Sequence, residues 1–577
     1  EGRYDGGYWL AFCILLAVLL SPLTVDTVPP LLDYPIHLAR SEIATEYAND
    51  PVLREIYEIS WRPIPNLSGD IVLLFLGQLF NIEPAGRILL ACCLAATVAS
   101  VFVLHRVIFG SWSYWIFLAF LPAVHGALTA GFINYSIGVA LLLFALAVSI
   151  RLRNSGIAVV TFVDAFAAMV LLFCHVIVVG IFGIYLFAIE IFSLPYKESI
   201  KTLLTSIRNS AIRIILPFIF PSIIYFSYSF VEVVSRPKFL AFGEWKFSDK
   251  IRSLMMPFLS GDFSGRFFVF SSHSTITNVS TNKKILIIRY DILTGSILVM
   301  FVSLLLPGQM LDAAFISDRL PIAAVLVGLT CCRPANSERR FSAVLLCSVS
   351  FVVVLRASNL KVDWEESSQY YDRLAQAVES IERGSSVLIV SPLTNVGGQG
   401  LRYWWELRSY RPRWHFALFN IPTLHALSAV LLTHRSAFTQ LHFVWSDKQI
   451  LSLSTSFKSL DYGDGGTSTW APDVVFLRSG DVAFEMSSVV EPFDYVLVVY
   501  ADLLQPDLRK QIDASYPVYA DDEIVLLKTT SSASWRNKSL HAPSSQNPDG
   551  LDGHETGPET IATKSYRRLS HLTRRSG

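Results

Sequence analysis

RILLACCLAATVASVFVLHR, residues 87–106, carries no charged side chain between Arg87 and His105. A helix that crosses the hydrocarbon layer of a bilayer needs about 20 mostly apolar residues. This stretch meets that requirement with a basic residue at each end. Nine further stretches read the same way: 7–24, 112–129, 132–150, 157–174, 177–194, 212–231, 290–306, 319–332 and 341–356. The whole chain of 577 residues agrees, with 52% hydrophobic residues, 16% charged residues and a mean hydropathy of +0.46. Soluble chains carry about 25% charged residues. The spacing therefore predicts an α-helical polytopic membrane bundle.

The formal net charge is zero, so no global electrostatic case for nucleic acid exists. The seven cysteines (Cys13, Cys92, Cys93, Cys174, Cys331, Cys332 and Cys347) all fall in or beside apolar runs. They read as small apolar residues rather than a disulfide framework or a zinc site.

After the first stretch, LSPLTVDTVPP lacks a small-x-small cleavage site, so 7–24 reads as an uncleaved anchor rather than a signal peptide. The segment 69–81, GDIVLLFLGQLFN, is too short to span and reads as a helix lying at the interface. With that choice, Arg106, Arg151, Arg153 and the run from Lys197 to Arg213 all fall on the cytoplasmic side. Placing Lys283, Lys284, Arg289, Arg333, Arg339 and Arg340 there too requires a weak crossing over 255–282. The expectation is about eleven crossings, with the N-terminus inside and the C-terminal part outside.

From about residue 384 the pattern changes to short buried strands, SVLIV at 386–390, YVLVVY at 495–500 and IVLL at 524–527. With helical stretches at 423–432 and 503–513, they predict an extracytoplasmic α/β domain over 361–531. The bundle occupies 1–360 with an outer loop at 25–86, and 532–577 has a disorder-prone composition.

The outer loop opens with Leu32-Asp33-Tyr34-Pro35-Ile36-His37-Leu38-Ala39-Arg40. Asp33 and His37 lie four residues apart around a Pro35 suited to a first helical turn. A carboxylate and an imidazole at such a helix start could share a proton or hold an acceptor group. The alternative is a plain helix cap by Asp33 beside a partly exposed His37. Downstream come Pro65-Asn66-Leu67, the interfacial segment, then Arg87 opening a span that ends HRVIFG at 105–110.

This order of elements resembles the N-terminal module of the GT-C superfamily of polyprenyl-phosphate-dependent glycosyltransferases. Gly131-Phe132-Ile133-Asn134-Tyr135 and Asp318-Arg319-Leu320-Pro321 look like segments of bacterial membrane proteins of that type. The resemblance implies a transferase in a bacterial inner membrane. It would move sugar from a polyprenyl-phosphate donor to an extracytoplasmic lipid or glycan, with membrane lipids around it. Asp33 would be the general base and Arg319 the contact to the leaving phosphate, with His37, Asn134 and Asp318 near the substrates. Many members have a second acid directly after the first; here Tyr34 stands there. Glu232, Glu244, Asp262 and Asp312 remain as other outer acids. No cofactor is certain, and the resemblance leaves a divalent cation open.

Other polar residues carry bland readings beside functional ones. Asp164 and His175 fall in apolar stretches, as a salt-bridging and a packing group or as functional ones. Asn134 reads as bonding a helix end, or as facing an acceptor cavity. The GGQG turn at 397–400 lacks the Lys-Ser/Thr of a phosphate loop. Trp404, Trp405, Trp414 and His415 form an aromatic cluster suited to a core, a membrane contact or a sugar face. A non-catalytic transporter or scaffold for lipid-linked substrates is the competing function, but inverted repeats are not seen in the sequence.

Overall fold

The structure, a computed structural model, describes residues 6–25, 28–235, 245, 247–259, 286–308, 315–335 and 339–391. In the C-terminal part it describes 416–417, 421–422, 424–442, 449–455, 457, 475–476, 493–503, 509–510 and 517–529. The tail from 532, the GGQG turn, Trp404, Trp405, Trp414, His415, Glu244, Asp262 and Asp312 lie outside these residues, as does the side chain of Glu232. So do most of 503–513 and all but the first residues of 255–282.

In chain order the helices are α1 (Gly6–Leu20), α2 (Tyr34–Glu46), α3 (Pro51–Ile56), α4 (Ser68–Gly77), α5 (Ile82–Phe109), α6 (Gly126–Thr129) and α7 (Ile133–Leu152). Then follow α8 (Ile157–Cys174), α9 (Val176–Ile191), α10 (Ile200–Ser235), α11 (Phe247–Met255), α12 (Tyr290–Leu305), α13 (Ile316–Thr330) and α14 (Arg339–Glu379). Among the described residues six stretches are long and apolar enough to cross a membrane: 6–24, 82–109, 133–152, 157–174, 200–227 and 341–379. Helices α9 and α12 have 16 residues each. At 1.5 Å per residue each runs about 24 Å, short of a hydrocarbon core of about 30 Å. Length and composition thus support six of the roughly eleven expected crossings.

The reading of 112–129 as a spanning helix is corrected. These residues form a 3-10 helix, Tyr114–Phe120, and the short α6. Pro122 lies between them, and its missing N–H and ring clash stop an α-helix there. The segment still travels along the bundle. Tyr8 of α1 packs on Trp112, Tyr114 and Phe117 at one end. At the other end the carbonyls of Thr129 and Ala130 accept the N–H groups of Leu32 and Asp33 at 3.4 and 3.1 Å.

Irregular backbone inside a bundle needs substitute hydrogen-bond partners. Arg356 of α14 supplies them, donating from Nη2 to the Val124 carbonyl at 2.7 Å and from Nη1 to the Leu121 carbonyl.

Helix α14, with 41 residues, runs unbroken through residue 360, where the sequence suggested a domain boundary. Its far end packs on the sheet: Tyr370 stacks on Tyr500 at 6.2 Å, and Arg373 pairs with Glu523. Among the described residues the sheet has five strands in the order 519–520, 524–528, 495–499, 387–391, 475–476. Strand 387–391 runs parallel to both its neighbours, and the other pairings are antiparallel. Its central strands are buried along their length, which explains their continuous apolar sequence. Strand 57–59 pairs with 451–453, and the helix Leu427–His434 packs on α2. The outer loop and the C-terminal part therefore fold together within one unit, Glu1–Ser532.

Replacing Arg356 with Met should cost about 1–3 kcal/mol for each carbonyl left buried without a partner. The check is a thermal melt in detergent; an unchanged midpoint would show that water takes over the guanidinium's role.

Candidate functional site

Asp33 occupies the N-cap position of α2, yet its side chain makes no cap hydrogen bond. Two local facts account for this. Its backbone is already helical (φ −89°, ψ −12°), whereas a capping residue is normally extended. The second helical residue is Pro35, which has no N–H to offer. The Asp33 N–H is instead clamped on the Ala130 carbonyl, and the turn that presents that carbonyl needs Gly131. Gly131 has φ +76°, and a Cβ there would lie 2.5 Å from Asp33 N. The helix-cap alternative therefore does not describe Asp33.

The Asp33 side chain is half-buried. Among the described residues no donor hydrogen-bonds its carboxylate. Burial pushes the carboxyl up to about 7, against the opposing pull of Arg319 and Arg40. An acid held there is matched to proton abstraction near neutral pH.

One helical turn and more along α2 lies a buried charge cluster. Arg40 is fully buried and grips Asp70 of α4, with Nε and Nη2 at 3.1 and 2.7 Å from Oδ1 and Nη2 at 2.9 Å from Oδ2. Arg40 Nη2 also lies 2.8 Å from His37 Nδ1, whereas its Nη1 is buried without a partner among the described residues. Burial, with Arg40 beside it, pushes His37 below its usual range and so keeps it neutral. Burial disfavours the charge of Asp70, but Arg40 and His37 outweigh it and hold the carboxyl below the usual carboxylate range.

The start of α4 is fixed by Asn134 of α7. Its Oδ1 accepts from Gly69 N at 2.6 Å and Ser68 Oγ at 2.9 Å, and its Nδ2 donates to the Asn66 carbonyl at 2.8 Å. Asn134 thus spends its amide on a helix start.

Arg319, in the first turn of α13, is brought to the same place. Its guanidinium lies over the Phe132 ring at 4.1 Å and touches His175 Nε2. His175 in turn caps α9, its Nδ1 accepting from Ile177 N at 3.1 Å. The Arg319 carbonyl accepts from Tyr135 Oη at 2.5 Å. Gly131 and Phe132 therefore bridge Asp33 to Arg319. Asp318 is fully buried and turned elsewhere, accepting from Ser253 Oγ at 2.6 Å and pairing with Arg252 at 3.0 Å.

A narrow apolar crevice, lined by Leu23, Leu31, Leu90, Val124, Leu360 and Trp364 among others, adjoins the Leu32–Thr129 clamp. A second crevice, lined by Asp164, Arg153, Glu190 and Arg213, lies at the opposite end of α7, about 29 Å from Asn134 along the helix. Asp164 thus belongs to a different cluster from Asp33. Among the described residues no three His, Cys, Asp or Glu side chains group to hold a metal. Near Asp33 the other donors, His37 and Asp70, are taken by Arg40, whose charge opposes a cation.

Sequence reasoning missed Arg40 and Asp70. Signals existed: Arg40 is seven residues from Asp33 on the same helix face, and Asp70 is the lone acid in an apolar segment.

Fold and site together define a helical bundle that presents a carboxylate beside two guanidinium groups at one end. No family model matches the sequence, and no curated protein matches it. Among solved structures the chain is similar to a crystal structure of ArnT from Cupriavidus metallidurans bound to undecaprenyl phosphate. The TM-score is 0.48 at 11% identity, over 92% of this chain and 99% of that one. The apo state of the same protein gives a TM-score of 0.46 at 11% identity over the same shares.

Asp70→Ala should destabilise the fold by about 3–5 kcal/mol, because it strands the buried Arg40 charge. Adding Arg40→Met should recover part of that loss in a thermal melt. The raised pKa of Asp33 makes a separate prediction. Between about pH 4 and 7 the folded chain holds a proton that the unfolded chain releases, so stability falls as pH rises through that window. Asp33→Asn should therefore melt higher than wild type at pH 8, with the gap closing toward pH 4.

Proposed function

We propose that this chain is a GT-C-type membrane glycosyltransferase, moving a sugar from a polyprenyl-phosphate donor to an extracytoplasmic lipid or glycan acceptor. The observation that carries this reading is the Asp33 carboxylate: half-buried, without a hydrogen-bonding partner among the described residues, and pushed up to about 7. It sits within electrostatic reach of Arg319 and Arg40. In this reading the bundle lies in a bacterial inner membrane with the sheet-bearing C-terminal part outside.

Asp33 takes the proton of an acceptor hydroxyl. The freed oxygen forms a bond to the anomeric carbon as the bond from that carbon to the phosphate oxygen breaks, with inversion. The leaving polyprenyl phosphate gains negative charge, which Arg319 and Arg40 are placed to stabilise. Arg40, fully buried, acts through its field rather than by direct contact. His37 stays neutral next to Arg40, so it orients that guanidinium rather than adding charge. Asn134 and Asp318 act at one remove, fixing α4 and α13.

The test is sugar transfer from a polyprenyl-phosphate sugar by purified protein in lipid. Asp33→Asn should lower turnover by about 10²–10⁴-fold, the usual worth of a general base. Wild-type kcat/KM should rise with pH through about 7 as Asp33 loses its proton, and the residual activity of Asp33→Asn should lose that rise. Unchanged turnover in Asp33→Asn removes Asp33 as the base.

A further inference from the structure

Helix α11 wears its side chains inside out for a helix that faces water. Phe247, Ile251 and Leu254, at i, i+4 and i+7, are 69, 53 and 40% exposed. On the opposite face Lys250 is 2% exposed and Ser253 is fully buried. Charged side chains are almost never buried while apolar neighbours stay out, unless the outer medium is itself apolar.

The inward polar groups are all engaged. Lys250 Nζ donates to the carbonyls of Ser303, at 3.2 Å, and Leu306. Arg252 pairs with Asp318 at 3.0 Å and with Asp249 at 2.5 Å, and Ser253 Oγ donates to Asp318 Oδ1. The apolar face continues beyond the helix. Trp245 and Phe258 flank it, 55 and 51% exposed, and Trp245 Nε1 donates to the Leu304 carbonyl at 2.9 Å. Leu305, at that end of α12, is also outward.

Position along the bundle is equally defined. Met256 packs on Gly126, and the Phe258 carbonyl accepts from Arg356 at 3.5 Å, so α11 lies at the end that holds Asp33. There α4 shows the same outward apolar face through Ile71 and Phe75.

We propose that α11 lies flat in the membrane–water interface, its Phe247-Ile251-Leu254 face seated in lipid. Its occupant is the bilayer rather than a protein partner, because among the described residues the outward face carries no charge to specify one, and it runs on into the apolar surface of α12. Through Arg252 and Asp318 this seat fastens the first turn of α13, which carries Arg319, to the membrane surface. The inference concerns where α11 lies and does not rest on the transferase reading.

The experiment places nitroxide labels on full-length, cysteine-free protein in phospholipid nanodiscs, at Ile251→Cys and separately at Leu254→Cys. A third label at Glu382→Cys, on the exposed side near the sheet, is the water-facing reference. Collision with dissolved oxygen should exceed collision with a water-soluble nickel chelate at both α11 sites, and the order should reverse at Glu382. Nickel-dominated collision at both α11 sites would put the helix in water and overturn the proposal. Low collision with both reagents would show the face covered by protein and overturn it equally.

Discussion

Two backbone hydrogen bonds, from the N–H groups of Leu32 and Asp33 to the carbonyls of Thr129 and Ala130, hold the rest of the site in place. Each is worth only about 1 kcal/mol as a net contribution. Their importance is geometric. They dock the start of α2 on the turn that ends the irregular 112–129 segment, with Asp33 at the N-cap position and its carboxylate making no cap bond. The same turn continues into Phe132, whose ring supports Arg319. One short junction therefore sets both the acid and the cation.

Elsewhere the bundle handles charge by pairing it. Arg40 with Asp70, Arg252 with Asp318, and Arg153 and Arg213 with Glu190 each join different helices. Ion pairs of this kind cost desolvation and return it only when their geometry is good, so they act as fasteners that fix register more than as sources of stability. Asp33 departs from that pattern. Guanidinium groups stand near it, but none is bonded to it among the described residues. A half-buried titratable group without a hydrogen-bonding partner among the described residues is one place where chemistry is to be sought.

Helix α14 joins the apolar bundle to the sheet. Its apolar half carries Arg356 to the carbonyls of the irregular segment, and its other half supports the five-stranded sheet. With 57–59 pairing to 451–453 and the helix Leu427–His434 lying on α2, the sheet region braces the helix that begins at Asp33. His434 meets Glu42 of α2 at 3.4 Å in that contact.

Apolar runs and their charged ends were enough to locate α1, α5, α7, α8, α10 and the apolar half of α14, because a lipid-facing helix must hide its own backbone and nothing but length and hydropathy is needed to say so. The buried strands were also legible. Apolarity alone misread 112–129, since it does not distinguish a helix from irregular chain whose carbonyls are served by an arginine more than 200 residues away. The partners of each charge were equally hidden: Asp318 to Arg252, Asn134 to the α4 start, and Arg40 to Asp70 are contacts between helices, set by how the bundle packs. Sequence by itself determined which segments seek lipid. Tertiary structure decided which charged groups are paired and which are left without a partner among the described residues, because desolvation and pairing depend on neighbours that only packing brings together.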